Sequence, residues 1–331
     1  MSRATAAIRE VDLRMVDRYK DFLPKQIFDA HIHMYGENTI PMFYNPEGNF
    51  FRTFARPENY WEDMQALYPG VEKYRLNMMA MPDRVFNDPA LNVRDQANEH
   101  IAKILLEQPQ HVGSAYVMYS DDEQKVSEMV SKPGFRAIKC YCYTAKHSNE
   151  SNLAVGDFVP ESAWRVANEK KLPIVLHLMR ASGLSDEENF SYIMEKTKQY
   201  PDAKLVLAHC ARGFVSWTVV DQIKKLVDRD NIWFDMAAVC EVGPMMAAYM
   251  HSVGNRIVWG TDWPICLYRG RAISMGMSQQ WLTNNDPDAG YGLLAAESLM
   301  AFHQTASLLN LDQTQVDDIF YNNAVRLFGV E

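Results

Sequence analysis

The feature that most constrains the fold is a regular alternation of apolar and amphipathic segments, which begins near residue 74. Short apolar runs are typical of buried strands, and apolar residues that recur every three or four positions are typical of helices. With an apolar run at 27–33, the pattern predicts eight strands, at residues 27–33, 75–81, 112–119, 135–143, 173–177, 204–209, 231–236 and 256–262. Helices are predicted between most of these strands, so the strands should pair in parallel. Eight such units favour an α/β fold of the closed (β/α)8 type, a TIM barrel, over an open sheet.

The remaining segments are predicted to belong to the same domain, which spans residues 1–331. Residues 1–25 hold a leading N-terminal helix, and residues 293–331 hold closing helices. Residues 34–74 form a long insertion that is rich in aromatic side chains. A loop of this length inside a compact domain is usually functional, so one interpretation is a lid over the site. The other is a packed surface excursion or a subunit contact, and the sequence leaves both open.

The composition argues against several classes of function. The formal net charge is −9, and charges of both signs are interspersed, which argues against binding to nucleic acid or to an anionic membrane. There is no apolar run of about eighteen residues, so no transmembrane helix is expected, and the charged N-terminal segment does not look like a signal peptide. The five cysteines lie in or beside apolar strands, as expected of reduced thiols. We therefore expect a cytoplasmic protein that acts on a small molecule; a homo-oligomer stays open.

Several predicted strands end in residues that bind metals. His31 and His33 lie two positions apart, so on a strand they point to the same side, about 6.6 Å apart at the backbone. Later strands end at His177, His209 and Asp262. The C-terminal ends of barrel strands meet at one face, and imidazoles with one carboxylate suit Zn²⁺, Mn²⁺ or Fe²⁺. Each residue alone could be a core histidine or a turn-capping aspartate, but five at equivalent positions favour a metal site.

These segments resemble the amidohydrolase superfamily, in particular its amidohydrolase-related branch, over residues 27–328. The motifs that carry the resemblance are Phe28-Asp-Ala-His-Ile-His33, Gly134-Phe-Arg-Ala-Ile-Lys139, Leu172-Pro-Ile-Val-Leu-His177, Leu207-Ala-His209, Trp259-Gly-Thr-Asp-Trp-Pro264 and Asn322-Asn-Ala-Val-Arg-Leu-Phe328. The branch includes lactone hydrolases and nonoxidative decarboxylases of the aminocarboxymuconate-semialdehyde type. The resemblance implies a shell for one divalent ion, with Zn²⁺ first and Mn²⁺ or Fe²⁺ as alternatives, made by His31, His33, His177 and Asp262. It also implies a catalytic or supporting role for His209.

Lys139 is an ambiguous position on the fourth strand. Two-metal members of the superfamily place a carboxylated lysine on that strand, where it bridges the ions. The other interpretation is an unmodified lysine whose ammonium group binds a substrate carboxylate or a nearby acid, because a buried lysine must lose its charge or pair. We expect one metal with Lys139 nearby and unmodified.

Four arginines follow the ligand-bearing strands, and they suggest an anionic substrate. They are Arg180, Arg212, Arg269 and Arg271. Arginine binds carboxylates or phosphates in a bidentate fork, and Tyr141 flanks the same strand ends. The alternative is that these arginines pair with local acids on the surface.

The sequence therefore predicts a metal-dependent hydrolase of a small anionic molecule, with a lactone or another cyclic or acyl bond as its target. Asp262 would take a proton from water and return it to the leaving group, while His209 would orient the carbonyl. Hydrolysis comes first because the run 259–267 looks most like the lactone hydrolases. A nonoxidative decarboxylase of a carboxylated aromatic or muconate-like substrate is the alternative on the same residues. A barrel that has lost catalysis and only binds is a third interpretation.

Overall fold

A computed structural model describes residues 8–36, 39, 52, 54–88, 90–146, 152–226, 228–276, 278–284 and 286–331. Eight strands form one sheet in the order of the sequence, and each pairs in parallel with the next. They are β1 Gln26–Met34, β2 Lys73–Ala80, β3 Val112–Tyr116, β4 Phe135–Cys140, β5 Pro173–Leu176, β6 Lys204–Leu207, β7 Ile232–Asp235 and β8 Ile257–Val258.

Backbone hydrogen bonds bring the last strand back to the first. The amide of Ala30 donates to the carbonyl of Trp259 at 2.9 Å, and the amide of His33 donates to the carbonyl of Trp263 at 2.7 Å. Parallel strands that return to the starting strand make a barrel, so the predicted (β/α)8 fold is confirmed.

Helices follow most strands and cover the outside of the barrel. They are Glu10–Tyr19, Pro57–Met64, Val93–Glu107, Glu123–Val130, Glu161–Lys170, Glu187–Gln199, Trp217–Ile223, Val242–Ser252, Leu294–Leu309, Gln313–Asp317 and Asn323–Phe328. Several begin at an aspartate whose side chain accepts from a backbone amide that has no partner within the helix. Asp122 accepts from the amide of Lys125 at 2.8 Å, and Asp186 accepts from the amide of Asn189 at 3.0 Å. Among the described residues, no helix is long and apolar enough to span a membrane.

The barrel interior is filled by apolar side chains, one or two from each strand. Phe28, Val206 and Val258 belong to this cluster, which the closing helix covers through Phe328. The rings of Phe28 and Phe328 lie 5.4 Å apart. Because side chains alternate along a strand, filling the barrel near its N-terminal end leaves the C-terminal strand ends for polar residues.

Two further elements accompany the barrel, one in the insertion after β1 and one after β8. The part of the 34–74 insertion that the structure describes includes the helix Pro57–Met64, whereas residues 37, 38, 40–51 and 53 of the segment in which a lid was predicted lie outside the described residues. After β8, the strands Gly270–Met275 and Ser278–Thr283 pair as an antiparallel hairpin, which the sequence analysis did not predict. We call this element the rim hairpin.

Candidate metal centre

His31, His33 and Asp262 form a compact group at the C-terminal ends of β1 and β8. One potential ligand atom from each lies within 4.8 Å of the others. The Nε2 atom of His33 is 3.0 Å from Oδ1 of Asp262, and Nε2 of His31 is 3.8 Å from the same oxygen. All three residues are buried. Two imidazole nitrogens and one carboxylate oxygen are a suitable donor set for Zn²⁺ or Mn²⁺.

The other ring nitrogens of these histidines are already engaged. Nδ1 of His33 lies 3.0 Å from the carbonyl of Ala80, which can only accept, so His33 carries its proton on Nδ1. Nδ1 of His31 lies 2.9 Å from Oδ2 of Asp235. These partners orient the rings and leave the Nε2 lone pairs facing one point, which is the usual arrangement around a metal-binding histidine. The residues present therefore fit a divalent ion.

Burial determines the charge state of the site. It lowers the pKa of His31 and of His177 well below the ordinary value, so both rings are neutral, as metal binding requires. Burial alone would raise the pKa of Asp262, but its contacts with His33 and the neighbouring histidines lower it below its usual value. Burial also lowers the pKa of Lys139 to about 8.

His209 lies in a strained turn directly after β6. His209, Cys210 and Ala211 have φ values of 56°, 48° and 59°, in the left-handed region that costs such residues energy. The turn lets Nδ1 of His209 donate to the carbonyl of Ala237 at 2.7 Å. The ring centre then lies 5.1 Å from that of His31 and 4.9 Å from that of His177.

Asp235, at the end of β7, organises two of these residues. Its Oδ2 lies 2.9 Å from Nδ1 of His31, and its Oδ1 accepts a hydrogen bond from the backbone amide of His209 at 2.8 Å. From the sequence, Asp29 and Asp235 lie on predicted strands and are candidates to support the site, without a catalytic role. The contacts of Asp235 place it in such a supporting position, because strand ends of this barrel converge at one face.

Three residues predicted from the sequence, Lys139, Tyr141 and His177, lie at or just after the C-terminal ends of β4 and β5. Lys139 is buried, and its Nζ is 3.4 Å from Nε2 of His31. The rings of Tyr141 and His177 lie 5.0 Å apart. His177 lies outside the compact group of potential ligands, so its role as a metal ligand stays a prediction.

The four arginines differ in their partners. Arg180 pairs with Asp186 at 3.0 Å and Glu188 at 2.7 Å, Arg269 pairs with Asp12 at 2.9 Å, and Arg271 pairs with Glu297 at 3.4 Å. Arg180 thus makes the local pairing that the sequence left open, whereas Arg269 and Asp12 form a buried ion pair between residues that are far apart in the chain. Arg212 donates only to the carbonyl of Leu178 at 3.3 Å, and its buried Nε has no hydrogen-bond partner among the described residues.

Residues beside Asp262 are held by the insertion and by β1. The indole of Trp263 donates to Asp63, on the helix Pro57–Met64, at 3.2 Å. Thr261 donates from its hydroxyl to Asp29 at 2.6 Å and from its amide to the same carboxylate at 3.0 Å. Asp262 itself has a φ of 63°, so these contacts fix a strained residue from both sides.

Solved structures with the same fold were found over nearly the whole chain. A 2,6-dihydroxybenzoate decarboxylase in complex with 2,6-dihydroxybenzoate is 14% identical, with 93% of this chain and 100% of that chain covered and a TM-score of 0.62. A dihydroxybenzoic acid decarboxylase from Polaromonas sp. JS666 with bound manganese and 2-nitroresorcinol is 15% identical, with 93% and 97% covered and a TM-score of 0.57. A putative 2-pyrone-4,6-dicarboxylic acid hydrolase from Pseudomonas putida is 15% identical, with 93% and 98% covered and a TM-score of 0.55.

Sequence comparisons give a match to a protein family. A comparison with curated proteins finds no match. A family model described as amidohydrolase matches residues 28–330, which include both histidines of β1, the turn after β6 and Asp262. The match extends over far more than half of the chain and agrees with the motifs in the sequence, and the chain therefore belongs to the amidohydrolase family.

Proposed function

We propose that this protein is a metal-dependent nonoxidative decarboxylase of a small aromatic carboxylate that carries a neighbouring hydroxyl group. The observation that carries the proposal is the buried His31, His33 and Asp262 group with two cationic side chains nearby: Nζ of Lys139 is 3.4 Å from Nε2 of His31, and Arg212 is close enough to His177 to add to the effect of burial in lowering the pKa of that ring. The carboxylate-binding decarboxylases among the structural neighbours support this reaction class, and one of them holds manganese. His31, His33 and Asp262, with His177 as a further candidate, would hold the ion.

Each residue has a defined task in this reaction. When bound, the ion would act as a Lewis acid for the oxygen atoms of the substrate. Arg212 and Lys139 bind the negative charge of the carboxylate, since shielded cations that have no carboxylate partner among the described residues gain most from an anionic ligand. Because Nδ1 of His209 donates to the carbonyl of Ala237, Nε2 of the neutral ring is left to accept a hydrogen bond from a hydroxyl group of the substrate.

Asp262 moves the proton. Its lowered pKa leaves it ionised, so it accepts the proton of the substrate hydroxyl and then donates that proton to the ring carbon that bears the carboxylate. The bond from that carbon to the carboxylate breaks, its electron pair returns to the ring, and CO₂ leaves. The product is a phenolate, which regains a proton from solvent, and Asp262 returns to its ionised form.

Lactone hydrolysis is the second candidate. An ionised Asp262 is equally suited to take a proton from water and return it to the leaving group, and the pyrone hydrolase among the neighbours supports this reaction. The sequence favoured hydrolysis, whereas the neighbours named above favour decarboxylation. Both candidates use the same residues on a small anionic substrate.

One experiment separates the candidates. The protein is loaded with Mn²⁺ or Zn²⁺ and given hydroxybenzoates in D₂O, and then carboxylated 2-pyrones, with the His33→Ala variant as a control without metal. We expect CO₂ release and one deuterium at the carbon that carried the carboxylate. Ring opening of a pyrone without CO₂ release would establish the hydrolase instead. No turnover on either panel by the metal-loaded protein would favour the inactive binding barrel.

A further inference from the structure

The rim hairpin places an aromatic side chain behind the ring of His209. The ring of Phe214 lies 5.2 Å from His209 at a tilt of 32°. The ring of Trp281, on the second strand of the hairpin, lies 5.3 Å from Phe214. A chain of ring contacts thus runs from the hairpin to His209, and aromatic pairs at these separations attract each other beyond the area that they bury.

The hairpin is fastened to the loops that follow β6 and β7. The amide of Ser274 donates to Glu241 at 3.2 Å, and the amide of Ser216 donates to the hydroxyl of Ser274 at 3.1 Å. A small apolar cluster, separate from the main core, lies beneath it and consists of Phe214, Ala238, Cys240, Ala272 and Leu294. Phe214 is therefore held between the hairpin cluster on one side and His209 on the other.

Trp281 is much less buried than the residues of this cluster. It leaves 38% of its surface exposed, so it adds less to the core than a buried tryptophan would. Its ring contact in the described part of the chain is with Phe214. The hydrogen bond to Ala237 fixes one edge of His209, while the face of the ring depends on its aromatic neighbours.

From this geometry we infer that Trp281 is a positioning residue, which acts through Phe214 to hold the His209 ring at the angle that the reaction needs. The inference rests on the proposed function of His209. It assigns the rim hairpin a mechanical role at the site, in addition to any contact with substrate. A displacement of a reacting group by about 1 Å can cost on the order of 100-fold in rate, so loss of the aromatic support should lower kcat.

The test compares Trp281→Ala, Trp281→Phe and Leu282→Ala. Leu282 is the matched control, since it is the next residue on the same strand, faces the opposite side and is 37% exposed. Ring signals of His209 are recorded by NMR in protein labelled at histidine, with the His209→Asn variant used for assignment. Metal content and thermal unfolding are measured for all variants.

We expect Trp281→Ala to shift or broaden the His209 signals and to lower kcat about tenfold or more, with KM unchanged. Trp281→Phe should restore both readouts, and Leu282→Ala should change neither. Unchanged His209 signals in a folded Trp281→Ala variant would overturn the inference, and so would a rise in KM alone, which would make Trp281 a direct substrate contact. The NMR readout needs no substrate, so absence of turnover would count against the proposed function and not against this inference.

Discussion

The two sides of the site differ in how completely their polar groups are bonded. On the side made by β1 and β8, the Nδ1 atoms of His31 and His33 have protein partners, and Nε2 of His33 lies 3.0 Å from Oδ1 of Asp262. On the side made by β4 to β6, Lys139 has no carboxylate within ion-pair distance among the described residues, and Nε of Arg212 has no hydrogen-bond partner there. Buried polar groups are normally paired, so the unpaired side is where a ligand is expected to complete the bonding. We therefore propose that the bonded side holds a metal and that the unpaired side binds an anion.

The largest expected effect is on the bonded side. Asp262→Asn keeps the shape of the side chain and one oxygen that can still coordinate, but it cannot move a proton. We expect it to retain most of its metal and to lose about 10²–10⁴ in kcat, the usual consequence of removing a general acid–base. The measurements are kcat and elemental analysis, with His33→Ala as the variant that should lose metal. Near-normal kcat in Asp262→Asn would make His209 the leading candidate for the base.

The next effect tests whether partners outside the ligand group set metal affinity. Asp235→Asn weakens the acceptor for Nδ1 of His31 and for the amide of His209. We expect metal affinity to fall about 10- to 100-fold, as measured by competition with a chelator. Asp230→Asn is the control, because the Asp230 side chain is 95% exposed. Equal affinities in the two variants would show that the bonded side does not depend on Asp235.

A smaller effect is expected on the unpaired side. Arg212→Met should raise KM for an anionic substrate by about tenfold, since a hydrogen bond to a charged group contributes about 1.5–3 kcal/mol. Arg180→Met is the matched control, because Arg180 already pairs with Asp186 and Glu188. If the Arg180 variant raises KM and the Arg212 variant does not, the assignment of the unpaired side is wrong.

The last effect lies outside both sides of the site and concerns stability, not activity, so it must be known before any pH profile of activity is interpreted. Burial lowers the pKa of His111 to about 4, while the unfolded chain keeps a value near 6.5. Because the pKa of His111 is lower in the folded state, the unfolded state binds the proton first as the pH falls. The contribution of this shift to the free energy of unfolding is therefore fully present above about pH 6.5 and is lost as the pH falls toward 4. We expect a loss of about 2 kcal/mol in the free energy of unfolding by pH 5. Urea titrations of His111→Gln should show a flatter pH dependence; an identical slope would exclude His111 as the source.

Much of the fold follows from local pattern. Each strand of the barrel is a short apolar run and most have a helix behind them, so periodicity alone indicates eight units and parallel pairing. Strand ends were harder to predict: the last strand was expected to reach residue 262, but β8 ends at Val258. The backbone turns there to give Asp262 a positive φ, which no hydrophobic pattern specifies.

The sequence by itself determined the barrel and the residues at its strand ends, because a period of two along a strand and the convergence of parallel strands are local rules with a global consequence. Only the tertiary structure decided which of them face one another. It separated Arg212 from three arginines that pair with acids, joined Asp235 to His31, and brought Trp281 behind Phe214. Such contacts join residues far apart in the chain, so they depend on how loops pack and leave no periodic trace in the sequence.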